Sequence, residues 1–221
     1  MATAALPERL TRDVRAGVRV EQLTVGWMTL EALLSIGAGV TAGSVLLTAF
    51  GLDSVIELVT GAVLLWRLAA EARGAALEHV EQAERRAAWV TGVGLGLLCL
   101  YVVASAAASL LGHREAETSW VGLAVAAAAV VGMPLLARRK RAIAARIGSA
   151  ALRADAACSV TCAYMAGTML VGLAANALLG WWWADGLAAL VFLRWLVPEA
   201  REALAAARAG RAACCCADGC D

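Results

Sequence analysis

Two pairs of side chains in this chain are spaced to act together. Asp53 and Glu57 stand four apart in Phe50-Gly51-Leu52-Asp53-Ser54-Val55-Ile56-Glu57. Cys158 and Cys162 stand four apart in Ala154-Asp155-Ala156-Ala157-Cys158-Ser159-Val160-Thr161-Cys162. At this spacing both members of a pair share one helix face, and Asp155 falls on the face of the two cysteines. Two carboxylates with one or two thiolates form a ligand set suited to a tetrahedral divalent ion, Zn²⁺ first. Thiolate content tilts such a set toward softer ions such as Cd²⁺.

The surroundings make the acids costly. From Val45 to Trp66 every residue except Asp53 and Glu57 is apolar, small or hydroxylated. An acid at the centre of a membrane span costs about 2.5–3.5 kcal/mol even on a lenient insertion scale, so a pair of them points to function. The 221 residues are 62% hydrophobic with mean hydropathy +0.73. Soluble domains run at about 45–50% apolar, so this is a membrane composition. A net charge of +1 points to no nucleic-acid partner.

Six apolar runs near the length a bilayer requires position these side chains, and they predict an all-α membrane protein of six transmembrane helices. The runs span 23–42 with Glu31, 45–66, 87–111, 120–137, 150–179 and 181–197, the last closed by Pro198. Seventeen of the nineteen Lys and Arg fall on one side of this arrangement: four before the first run, four between the second and third, six between the fourth and fifth, and three in the tail. That bias predicts cytoplasmic N- and C-termini, with Trp120 and Trp181-Trp182-Trp183 at the outer interface. Glu57 then lies ten residues from Arg67, about 15 Å deep, and Cys162 nine residues from Arg153, about 13–14 Å deep. The second and fifth spans thus bring acids and thiols to one level.

Other polar positions carry two readings each. Glu31 is a proton relay or an interhelical pair. Asp155 is an accessory ligand or an acid paired with Arg153. Asp185, after three Trp, is a solvated helix-start acid or an accessory site residue. Cys99 reads as packing, and Gly92, Gly94 and Gly96 as close-contact positions for a neighbouring helix. Cys214, Cys215, Cys216 and Cys220 crowd the last eight residues, where adjacent Cys cannot all pair with one another; they capture soft metal or form a lipidated or dispensable end. The charged first twenty residues argue against a cleaved signal peptide. No phosphate-binding loop is present, so transport would be secondary.

The Asp53/Glu57 and Cys158/Cys162 stretches resemble the second and fifth spans of the cation diffusion facilitator family, across about 23–197. The resemblance implies six spans, export of divalent metal against protons, and Asp53, Glu57, Cys158 and Cys162 as metal ligands. Trp-rich sequence before Asp185 in the sixth span is similar too. Both fifth-span positions, usually His or Asp in that family, are Cys here. The His-rich fourth connection is absent, as is the cytoplasmic C-terminal domain through which members dimerise, so a homodimer is left open.

The expected organisation is a cytoplasmic segment (1–22), a transport domain (23–198) and a short Cys-rich cytoplasmic tail (199–221), in the plasma or inner membrane. The expected function is not enzymatic and needs no prosthetic cofactor. It is secondary export of a divalent metal, Zn²⁺ first, with the lipid bilayer, metal ions and protons as partners. Two close, desolvated acids cannot both stay ionised cheaply, so metal binding displaces protons and antiport follows. The alternatives are a membrane thiol protein acting as metal sensor or redox relay, and a structural partner subunit.

Overall fold

A computed structural model describes residues 8–73, 78–113 and 116–209 of the chain. They form six helices: α1 (Glu8–Ala42), α2 (Val45–Ala72), α3 (Glu78–Leu111), α4 (Trp120–Ile147), α5 (Ala150–Leu179) and α6 (Ala184–Arg208). Sequence punctuation explains the boundaries. Ser44, Ser119 and Ser149 cap α2, α4 and α5, each hydroxyl accepting from the backbone N–H three residues on. Gly148 and Gly180 end α4 and α5 in the left-handed conformation that glycine takes without strain.

The helices close into a ring in the order α1, α2, α3, α6, α5, α4, and α2 also reaches across it to α5 and α6. Accordingly α2 is the most buried of the long apolar helices. The outward faces carry exposed Leu, Val and Trp, as suits lipid rather than water as the surrounding solvent. Five helices, α1 to α5, are long and apolar enough to cross a membrane. α6 falls short of that measure because Asp185, Arg194, Glu199, Arg201 and Glu202 lie along it.

Small residues allow the closest crossings. A Cβ on Gly39 would stand 2.6 Å from the backbone nitrogen of Thr48, and one on Gly51 would stand 2.8 Å from that of Ile36. α1 and α2 therefore meet nearly backbone to backbone. On α3, Gly92 does the same for Leu204 of α6 and Gly94 faces Ile56 of α2, whereas Gly96 has no neighbour at that distance.

Several helices run further than the apolar runs suggest. α1 is already helical at Glu8, with Val14, Val20 and Glu21 buried, so much of the expected N-terminal segment is part of the bundle. α4 continues through the basic stretch to Ile147. α6 does not stop at Pro198 but continues to Arg208, burying Glu199, Ala200, Ala203, Ala206 and Ala207. A proline within a packed membrane helix is tolerated where its neighbours hold the backbone, and α3 holds this one through the Gly92–Leu204 contact.

Candidate metal centre

The face of α2 that looks into the ring carries Asp53, Ser54 and Glu57, all buried. Across from it, Cys162 of α5 is buried with its Sγ 3.0 Å from Oε1 and 2.8 Å from Oε2 of Glu57. A thiol donating to a carboxylate accounts for this contact. The level match expected from helix rise is thus realised in a direct contact between residues 105 positions apart in the chain. Asp53, one turn outward, is fully enclosed, and its Oδ1 has no hydrogen-bond partner.

Two further acids close in. Glu31 of α1 accepts 2.7 Å from Ser54 Oγ through Oε1 and 2.8 Å from Trp27 Nε1 through Oε2. Of its two readings the interhelical pair is the one seen, made possible by the close crossing at Gly51. Glu199 of α6 is buried, leaves Oε2 without a partner, and lies near enough to Asp53 and Glu57 to add to the negative charge they experience. Cys99 on α3 packs against the core.

Glu199 was not foreseen, because Pro198 reads as the end of a span. The available signal was the buried stripe that continues past it: Phe192, Leu196, Glu199 and Ala203 recur at helical spacing. Cys158 is half-buried one turn from Cys162 and is disulfide-bonded, so in this state it offers no thiolate. The four tail cysteines lie outside the described residues. Among the described residues, no three His, Cys, Asp or Glu side chains converge closely enough to hold a metal ion as they stand.

The remaining candidates are placed elsewhere. Asp155 does not pair with Arg153, which is exposed. It is bound to Lys140 of α4, whose ammonium also lies 3.3 Å from Glu21 of α1. Lys140 sits in a run of four basic residues that reads as a solvated stretch. Its place on the stripe Met133, Leu136, Lys140, Ile143 takes it inside. Asp185 is not solvated either. It is 2% exposed and accepts from the Ser44 hydroxyl and from the backbone N–H groups of Val45, at 2.9 Å, and Leu46, at 3.4 Å. An acid of α6 thus caps the N-terminus of α2, where the helix dipole favours negative charge.

The family model of the cation efflux transmembrane domain matches residues 24–206, which include Glu31, Asp53, Glu57, Cys162 and Glu199. The chain is similar to the uncharacterized transporter sll1263 of Synechocystis, at 30% identity over 171 residues. That match covers 76% of this chain and 55% of the relative, so the chain spans about half the length of the protein it matches.

Proposed function

The chain belongs to the cation efflux family and is a multi-pass membrane protein; from that premise we propose that it exports a divalent heavy metal from the cytoplasm, Zn²⁺ first, in exchange for protons. Asp53, Glu57 and Cys162 are the proposed ligands. The contact between Cys162 Sγ and Glu57 is the observation that carries this reading, since it joins a thiol of α5 to a carboxylate of α2 across the ring.

Carboxylate oxygen and thiolate sulfur are both ligands of Zn²⁺, and the sulfur keeps Cd²⁺ within range. The fourth ligand is the Glu199 carboxylate or, when reduced, Cys158. Metal takes thiolate and carboxylate only in their deprotonated forms. Loading the pair therefore releases the proton shared by Glu57 and Cys162, and unloading on the far side takes one up. Proton exchange follows from the ligands without a separate device.

One observation favours a second reading, in which thiol oxidation governs the protein: the disulfide at Cys158. Against a redox centre, Cys162 remains a free thiol that donates to the Glu57 carboxylate. Growth of an exporter-deficient host across Zn²⁺, Cd²⁺, Co²⁺, Ni²⁺, Cu and Fe²⁺ separates the two. Export gives tolerance to particular divalent ions that is lost with Glu57→Ala. A redox role gives tolerance that follows oxidant and ignores Glu57.

A further inference from the structure

Two turns from Cys162 toward the end of the bundle that carries the basic residues, three charged side chains from three helices meet inside the protein. Lys140 of α4 is wholly buried, with its ammonium bound to Asp155 of α5 and 3.3 Å from Glu21 of α1, which is also wholly buried. The Glu21 contact is one of charge alone, since neither carboxylate oxygen has a hydrogen-bond partner. Two carboxylates face one ammonium here, so with both carboxylates ionised the enclosed group is one positive charge short. A divalent cation in place of the ammonium would balance it.

The triad also lies on the way to the centre. A Cβ on Gly61 of α2 would stand 3.3 Å from Glu21 Oε1, so the glycine leaves Glu21 directly against α2. Gly61 is one turn from Glu57 on the same face, about 6 Å along the axis. Asp155 and Cys162, seven residues apart on α5, likewise share a face about 10 Å apart. Glu21 and Asp155 therefore continue, toward the cytoplasmic end, the two helix faces that bear Glu57 and Cys162.

We propose that Glu21 and Asp155 form a second divalent-cation site on the cytoplasmic approach, whose resident counter-ion is the Lys140 ammonium, displaced as cargo enters. The choice of divalent cation rests on the export reading; the site itself rests on the triad. Lysine suits this role because it is a point charge on a flexible stem, able to withdraw along the inner end of α4 toward water. An arginine would grip both carboxylates in a fixed fork and yield less readily.

The test uses Zn²⁺ alone and the full-length chain in detergent. All variants carry Glu57→Gln, Cys158→Ser, Cys162→Ser and Ser in place of the four tail cysteines, so that only the inner site is read. Equilibrium dialysis is expected to show Lys140→Met binding one Zn²⁺ per chain about tenfold or more tighter than the Lys140 chain, with further Glu21→Gln removing it. Equal binding with Met and Lys, or binding that survives Glu21→Gln, overturns the proposal. Should Lys140→Met not fold, Lys140→Arg in the otherwise unaltered chain decides. In proteoliposomes its KM for Zn²⁺ is expected to rise several-fold while the rate at saturation stays near the parent's. An unchanged KM overturns the site. An unaltered chain that moves no Zn²⁺ at all contradicts the export reading and leaves the dialysis result to judge the triad.

Discussion

Cys162 Sγ lies 2.8 Å from Glu57 Oε2, so a fifth-helix thiol and a second-helix acid form one donor–acceptor pair inside the ring. With Cys158 in a disulfide, Cys162 is the one thiol among the proposed ligands, so its sulfur sets the softness expected of the proposed site. Cys162→Asp keeps an anionic ligand at that position and removes the sulfur. Competition between Zn²⁺ and Cd²⁺ in vesicles is expected to move toward Zn²⁺ by about tenfold, roughly 1.4 kcal/mol of relative preference. An unchanged ratio would mean that the sulfur does not meet the metal.

The Asp185 cap predicts a purely structural phenotype. Asp185→Ala leaves Ser44 and the first N–H groups of α2 without their acceptor. Loss of a helix N-cap costs about 1–2 kcal/mol. A lower thermal midpoint in detergent, with Zn²⁺ affinity unchanged, is the expected outcome; a selective loss of affinity with normal stability would instead make Asp185 a site residue.

Gly51 predicts that the α1–α2 crossing holds the centre in register. In Gly51→Ala the new methyl carbon would stand 2.7 Å from Cγ1 of Ile36 and 2.8 Å from its backbone nitrogen. Backbone on one side cannot yield as a side chain can, so about 1–3 kcal/mol of stability is lost and α1 moves outward. Thermal unfolding reads the first effect. The second should show as brighter, more solvent-like Trp27 emission, as the Trp27–Glu31–Ser54 chain of hydrogen bonds comes apart.

Ser54→Ala isolates that chain more gently. It leaves Glu31 Oε1 buried without its donor, at a cost of about 1–3 kcal/mol. Because Ser54 adjoins Asp53, Zn²⁺ affinity is expected to fall several-fold. Affinity identical to the parent's would confine Glu31 and Ser54 to holding α1 on α2.

The apolar runs and the level match between Glu57 and Cys162 were legible because lipid enforces length and helix rise converts residue number into depth. Glu21, Lys140 and Glu199 were not. Each sits in a stretch whose composition reads as solvated, and each is turned inward by the 3.6-residue stripe of its own helix. Neighbourhood in the chain does not report burial, which depends on helix face. Pro198 misled for a related reason. As a helix breaker it suggests an end, but a proline held by a packed neighbour lets α6 continue. Asp185 was misplaced because its partner is the start of another helix, a relation visible only in three dimensions.

The most direct measurement is proton movement driven by metal. The chain is reconstituted in vesicles with a trapped pH indicator, and Zn²⁺ is added outside. Unaltered protein is expected to alkalinise the lumen as Zn²⁺ enters and protons leave, and Glu57→Gln to reduce both fluxes at least tenfold. Zn²⁺ uptake by Glu57→Gln as fast as by the parent, or parental uptake with no pH change, would contradict a metal-for-proton exchange centred on Glu57 and Cys162.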